Sequence, residues 1–556
     1  MGRILGVALA LTVLVAPASA FAHAERPAEF PDDAGSVPVY DSDPPDRVVC
    51  KGDSRQRIEA NVSDPARKQA ALDLVAACRY EHIQQAVNAA GNDERIAVLP
   101  GVYKEDPSRD TPDQGTPEDP DKCSGMSSDA EAIPGTGISL EGSEQVPSYE
   151  FQRECPNAQN LIAIVGDDPA DADRKCDDKC GIQIEGFGDS RDDVLIQGDK
   201  HKLNVIRADR ADGVYLKNFT IEFSDFNNIY SLETNGFRFD DIESRYSREY
   251  GLLSFTSDNG LYENLDAHHA GDSGVYPGSG PEYHCNGYGI EIKDVNSHDN
   301  TIGYSGTAGN GIWAHGNRFH HNAAGMTTDS FASGHPGMPQ DCAKFENNEV
   351  YSNNNNLFSD DRDRYCQQTP YHKRDPEKVC PTFQVPVGTG ILIGGGNENT
   401  VRANQIYDNW RNGTMLFWVP AEARGETDPT KTHDTSWGNQ HLLNTMGVRP
   451  DGTADPNGTD FWWDEENGYE DPPTTPGPMN CWEGNVAAKG RKVSSDPAEL
   501  PKCPGERVFS PGDPEKIATQ ATCATWDPET NTDPPGCDWF TLPPEPQPKQ
   551  RGKGAK

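Results

Sequence analysis

Residues 251–276 read Gly251-Leu252-Leu253-Ser254-Phe255-Thr256-Ser257-Asp258-Asn259-Gly260-Leu261-Tyr262-Glu263-Asn264-Leu265-Asp266-Ala267-His268-His269-Ala270-Gly271-Asp272-Ser273-Gly274-Val275-Tyr276. They hold one full unit of a repeat and the start of the next. A small or polar residue followed by an apolar one opens a short strand at Gly251-Leu252 and again at Gly274-Val275. A second opens at Gly260-Leu261, and a third apolar position follows at Leu265. Working outward, the opening pair recurs at Asn228-Ile229, Thr301-Ile302, Gly325-Met326, Asn356-Leu357, Gly390-Ile391 and Thr414-Met415. From Ile229 to Met415 the apolar positions are 23, 23, 27, 24, 31, 34 and 24 residues apart. The short spacings set the unit, and the long ones are units with inserted loops. Self-similarity of this length marks stacked units that share one continuous core.

Three short strands per unit make one coil of a solenoid, each coil pairing in parallel with the next at about 5 Å. The third apolar column runs Phe219, Ile242, Leu265, Val295, Phe319, Val350 and Ile406. Three positions beyond it stand Arg245, His268, His298, Asn322, Asn353 and Asn409. Asn at a bend hydrogen-bonds neighbouring backbone, so this column is expected to be a structural polar ladder with His substituting twice.

Upstream, Tyr80–Ala90 places Ile83, Ala86, Val87 and Ala90 on one helical face, and Ile96-Ala97-Val98-Leu99-Pro100-Gly101-Val102-Tyr103 follows as strand and turn. A solenoid needs such a cap over its open end. This opening resembles that of right-handed parallel β-helix proteins, the pectate-lyase-like superfamily. Gly271–Tyr276, Gly289-Ile290-Glu291-Ile292 and Val387–Ile393 are similar to a secreted bacterial subgroup of it. The resemblance implies an all-β right-handed parallel β-helix solenoid with an N-terminal cap helix and irregular, disulfide-bearing loops. The expected organisation is a signal peptide over 1–24, a lead-in over 25–79, the β-helix over 80–465 with a long insertion at 106–160, and a Pro-rich, Cys-containing cap or tail over 466–556. The fold hosts lyases, hydrolases, esterases, epimerases and non-catalytic proteins, so it does not fix an activity. Neither paired aspartates with Gly-His-Gly, a hydrolase pattern, nor the Asp-Pro-His-Asp of alginate epimerases occurs. A weaker resemblance extends to the periplasmic β-helix protein that helps mature nitrous oxide reductase, without a copper-ligand cluster of Cys, His and Met to support it.

The chain has 556 residues, 49 Lys plus Arg against 89 Asp plus Glu, and a formal net charge of −40. That excludes the basic footprint of a nucleic-acid binder and opposes docking on anionic lipid. With 54 Gly and 44 Pro, a helical bundle is excluded too. Arg3, the apolar run Ile4–Ala16 and the small-residue sites Ala18-Ser19-Ala20 and Ala22-His23-Ala24 read as a secretory signal, and no later segment is long enough to span a membrane. The 14 cysteines fit an oxidising compartment, with the Cys176/Cys180 pair read as disulfide rather than zinc.

Taking each unit's first strand as apolar-in, the third residue after the anchor points out. That column reads Leu232, Phe255, Gly278, Ser305, Asp329, Asp360, Gly394 and Trp418, with Trp463 extending it. Asp329 and Asp360 are thus expected on neighbouring coils. Two carboxylates so placed either share a proton and serve as acid and base on a glycosidic bond, or, with Asp361, hold Ca²⁺. No cofactor is required on the first reading. Arg362 and His335 stand by as assisting catalytic groups. Trp418 and Trp463 are expected to stack on sugar rings. Tyr276, in a second cluster with Asp272, His284 and Glu291, is a further substrate-binding candidate. The competing readings are a solvated acidic bend for the aspartates, cover by the C-terminal segment for the tryptophans, and a disulfide-pinned loop for the second cluster. The expected partner is an extracellular polysaccharide, cleaved by a lyase or hydrolase. The alternative is a non-catalytic glycan-binding or surface protein. The protein is expected to be a monomer.

Overall fold

A computed structural model describes residues 28–31, 35–104, 157, 160–166, 175–331, 335–421, 436–466, 479–504, 510–527, 530 and 533–547. The signal-peptide reading and nearly all of the 106–160 insertion lie outside these residues.

The chain winds into a right-handed parallel β-helix with three strands per coil. In the coil quoted above these are Tyr250–Phe255, Asp258–Glu263 and Asp266–His268. They belong to three faces, here called first, second and third. The first face is an eleven-stranded sheet from Asn160–Val165 to Ser495–Asp496. The second and third form one twenty-one-stranded sheet, because Val214–Glu222 and Asn235–Arg245 each run unbroken around the bend between them. Every strand pairing between coils is parallel; Leu252 faces Val275 and His268 faces His298.

The opening glycine of each unit is explained by space. A Cβ on Gly251 would lie 2.4 Å from the carbonyl oxygen of Gly274, and one on Gly325 would lie 2.6 Å from that of Gly390. Ile206, Ile229, Leu252, Val275, Tyr304, Met326 and Ile391 then fill the tube from the first face, all fully buried. Three sequence anchors shift, Met415 among them, since Thr414 pairs with Ile391 and Met415 packs outside. Tyr304, not Ile302, stacks on Val275, and Ile302 faces outward. Leu357 starts no coil: Met326 pairs directly with Ile391, so the 31- and 34-residue spacings are one long coil whose insertion carries Leu357.

The polar ladder is real and keeps Asn322, Asn353 and Asn409 of the expected column, but not its other three members. Asn300, Asn322, Asn353, Asn409 and Asn457 stack at one corner, each amide Nδ2 donating to the next Oδ1 at 3.0–3.1 Å. A second ladder runs Asn317, Asn348, Asn404, Asn444 and Asn485. Arg245, His268 and His298 belong instead to an outward column on the third face, aligned with His320, Tyr351 and Tyr407. The slip has a packing cause. Each third-face strand has two inward positions, and the large side chain moves from the first (Ile242, Leu265, Val295) to the second (Phe319, Val350, Ile406). Counting from the large residue therefore jumps two places at Phe319.

The cap helix is Ile83–Ala89, with Ile83, Ala86, Val87 and Ala90 buried as expected. The first strand, Arg47–Val49, pairs with Arg95–Val98, so the sheet begins upstream of residue 80. Helices Ser54–Asn61 and Pro65–Val75 fill the lead-in. At the other end Cys481–Glu483, Val486–Ala487 and Ser495–Asp496 continue the sheets beyond residue 465. A C-terminal helix, Pro514–Cys523, starts on the Asp513 side chain, which accepts from Glu515 N. Trp526, Trp539 and Phe540 beyond it pack with Phe358, Met415 and Phe417 against the outside of the first face. Six disulfides join Cys50–Cys78, Cys176–Cys180, Cys285–Cys342, Cys366–Cys380, Cys481–Cys503 and Cys523–Cys537 among the described residues. They indicate folding in an oxidising compartment.

Candidate functional site

Along the outside of the first face the strand ends align Leu232, Phe255, Gly278, Thr307, Asp329, Gly394 and Phe417. Asp329 stands where the sequence put it. The rung beyond it is Gly394, so Asp360 is not its neighbour. Asp360 begins a helix, Asp360–Gln368, in the insertion between coils. Arg362 in that helix donates from Nη1 to Val379 O at 2.9 Å and braces the insertion. The Asp361 side chain is 93% exposed and meets Arg364 at 3.3 Å. The expected pair Asp329–Asp360 and the expected Ca²⁺ set Asp329, Asp360 and Asp361 therefore do not converge. Trp463 points inward, its ring 5.3 Å from that of Trp482, so it offers no outer surface. Phe417 takes the place assigned to Trp418, and half-buried Trp418 donates its backbone N–H to Asp464 Oδ2 at 2.9 Å.

Other expected groups do gather. Asp329 is fully buried; Oδ1 accepts from Phe331 N and Oδ2 from Thr307 Oγ1, both at 3.1 Å. His335, from the loop after this strand, is buried with its ring edge-on to Phe255 at 5.1 Å. Tyr276 is buried on the same face, its ring 4.9 Å from Tyr250. Asp272 precedes that strand and is also buried. The expected second cluster divides: Asp272 and Tyr276 join this face, Glu291 accepts from His315 on the second face at 2.9 Å, and His284 is exposed.

Burial governs the electrostatics. It pushes the Asp329 carboxyl up to about 7, against the two hydrogen bonds that favour its anion. It pushes Asp272 up to about 7 as well, the charge of Asp329 adding to the rise and the Tyr250 and Ser273 hydroxyls tempering it. The Tyr276 phenol is raised by burial and then by Asp329. Two carboxyls within each other's field, each near neutrality, can divide one proton between an acid and a base. Asp272 was missed as the partner because it precedes the strand rather than occupying the column. Thr307 was missed because the column was counted from Ile302.

A polar cleft of about 550 Å³ lies elsewhere, on the bend between the second and third faces, with Asn296, Arg318, Asn347, Glu349, Gln405 and Pro450 among its walls. Among the described residues one group of three metal-type ligands converges, Cys285, Cys342 and Glu398, and its two sulfurs form a disulfide.

No protein-family model and no curated protein sequence matches the chain. Among solved structures it is similar to the A-module of the Azotobacter vinelandii mannuronan C-5 epimerase AlgE4, with 11% identity, 77% of this chain and 93% of that one covered, and a TM-score of 0.38. It is similar to pectate lyase Pel9A with 12% identity, 77% and 84% coverage and a TM-score of 0.31. It is also similar to the DFA-IIIase of Arthrobacter chlorophenolicus A6, with 14% identity, 57% and 72% coverage and a TM-score of 0.31.

Proposed function

We propose that the protein is a secreted, monomeric β-helix enzyme that cleaves an extracellular polysaccharide on the outside of its first face, with Asp329 as the proton-transferring carboxyl. The observation that carries this reading is the placement of Asp329 and Asp272 on one face, both buried and both near neutrality, beside Tyr276 and His335. A carboxyl that titrates near the working pH is efficient at passing a proton to a leaving glycosidic oxygen. Its partner, ionised when the first is protonated, takes a proton from water in hydrolysis or from the sugar carbon in elimination. Tyr276 and His335 supply a hydroxyl and an imidazole for orienting the sugar. Thr307 holds the Asp329 carboxyl in place.

A second reading, a non-catalytic glycan-binding protein, is favoured by the depth of these groups. Asp329, Tyr276 and His335 are at most 1% exposed, and Ala28 from the N-terminal segment packs on the aromatic cluster beside them. The test is incubation with a polysaccharide panel, with Ca²⁺ or chelator present, following reducing ends and the ultraviolet absorbance of unsaturated uronate ends. The expected result is turnover by the wild type and its loss in Asp329→Asn. Full turnover by that variant overturns the assignment of Asp329. Glycan retention without turnover selects the second reading.

A further inference from the structure

Five of the chain's 14 histidines fall on three coils of the third face, far along the sequence from one another but adjacent in space. His268, His298 and His320 stack ring on ring, with centroids 5.0 and 5.2 Å apart and planes 15° and 4° from parallel. The following residues, His269, Asp299 and His321, all have positive φ (58°, 56° and 55°). That backbone turn brings each back onto its neighbour: His268 Nδ1 to His269 Nδ1 at 2.7 Å, His298 Nδ1 to Asp299 Oδ2 at 2.7 Å, and His320 Nδ1 to His321 Nδ1 at 2.6 Å. Three consecutive coils thus each present two converging donor atoms at an accessible edge.

Counting hydrogens shows what the first pair lacks. His268 Nε2 lies 3.1 Å from Glu243 Oε1 and His269 Nε2 lies 3.3 Å from Glu377 Oε2. A carboxylate only accepts, so the hydrogen-bonded Nε2 of neutral His268 carries its hydrogen and leaves Nδ1 bare, and the His269 tautomer that turns an N–H toward Glu377 leaves its Nδ1 bare as well. The two bare nitrogens then face each other. Only an extra proton or a cation between them relieves the contact. His320 repeats the first half of this arrangement. Its Nε2 meets Asn296 Oδ1 at 2.9 Å, an oxygen identified by the Asn296 Nδ2 bond to Asp266, which leaves Nδ1 bare beside His321. An imidazole whose far N–H is held by a carboxylate or amide, with its near nitrogen bare, is the arrangement that orients metal ligands.

We propose that His268–His269 and His320–His321 are two sites for a borderline divalent transition ion such as Zn²⁺, each ion taking two imidazole nitrogens from the chain and water for the rest. Imidazole suits this class of ion rather than Ca²⁺ or Mg²⁺. Zn–N bonds of about 2.0–2.1 Å separate two tetrahedral ligands by about 3.4 Å, so each pair opens by about 0.7 Å to admit the ion. His321 is exposed and the other three rings are partly buried, so in each pair at least one edge reaches solvent. Asp299 sits on the coil between the pairs and gives both sites a shared anionic neighbour.

Zn²⁺ titration of the full chain by calorimetry, with Co²⁺ visible absorption as a ligand-field readout, tests this independently of any glycan chemistry. Two ions are expected to bind saturably to the wild type, one to His269→Ala and none to His269→Ala/His321→Ala. The exposed His284→Ala is expected to match the wild type. The proposal fails if the wild type takes up no Zn²⁺, or if the double variant retains the wild-type uptake and Co²⁺ spectrum. Far-ultraviolet circular dichroism of the double variant, expected unchanged, separates loss of ligand from loss of fold.

Discussion

The first and third faces are built on one backbone lattice, yet their outer sides behave oppositely. On the first, side chains are closed over, and burial without counter-charge drives Asp272 and Asp329 up to about 7. On the third, the stack is half-open and interleaved with carboxylates. There burial is overcome at His298, which Asp266 and Asp299 hold up to about 9, while His320, partly buried and stacked against it, falls to about 4. The cover over a strand therefore decides its chemistry more than its position in the coil does. A closed acidic wall stores protons; an open imidazole wall offers lone pairs.

The sharpest break in that comparison is Asp329→Asn. If the closed wall is the reaction centre, turnover falls by about 10²-fold or more, as for loss of a general acid or base, with the circular dichroism spectrum retained. Next is Trp526→Ala, which removes a fully buried ring from the cover over the first face and is expected to cost about 3–5 kcal/mol in denaturant unfolding. Asn353→Ala acts on the corner that both walls share. It strands ladder partners at Asn322 and Asn409 and is expected to cost about 1–3 kcal/mol.

The pH profile separates the walls further. Between the ordinary aspartate value of about 3.9 and about 7, the folded protein retains protons on Asp272 and Asp329 that the unfolded chain has released. More protons bound in the folded state means that stability falls as pH rises through this window. The melting temperature is therefore expected to decline from pH 5 to pH 7, on the order of the window just given, and Asp272→Asn/Asp329→Asn is expected to flatten the decline. The smallest effect is expected on the open wall. Tyr351→Ala interrupts rings stacked at 4.7 and 5.0 Å and costs about 0.5–1.5 kcal/mol beyond lost area, read by the same unfolding curves.

The coil repeat was legible because Gly251, Gly325 and Gly390 must be small where the next coil's carbonyl approaches and Gly274 where Ser297 Oγ does, and because Leu252, Val275 and Ile391 must fill the tube. The cap helix was legible from Ile83, Ala86 and Val87 for the same reason. Asp329 was found by alternation along its strand. Asp360 was misplaced because Asn356-Leu357 imitates the opening of a coil, although Leu357 packs against the outside of the tube. Trp418 and Trp463 were misread by one residue because Thr414, not Met415, occupies the inward place beside Ile391. The histidine stack was hidden by a trade of volume between two inward positions, which shifted the count at Phe319. Asp272, Thr307 and the facing Nδ1 atoms depend on loop paths and ring orientation, which periodicity does not encode.

Met326 and Ile391 are adjacent rungs although the chain between them includes a helix and a disulfide, whereas the coil from Leu252 to Val275 has only its second- and third-face strands and their bends. The axial advance is the same in both cases. Excursions at the corners thus leave the rise of the shaft unchanged, but this one reaches back to it, Tyr371 Oη donating to Ser224 O at 2.5 Å and Thr382 N to Gly271 O at 3.0 Å; a graft that replaces it with a short bend keeps every rung in order and forfeits those ties.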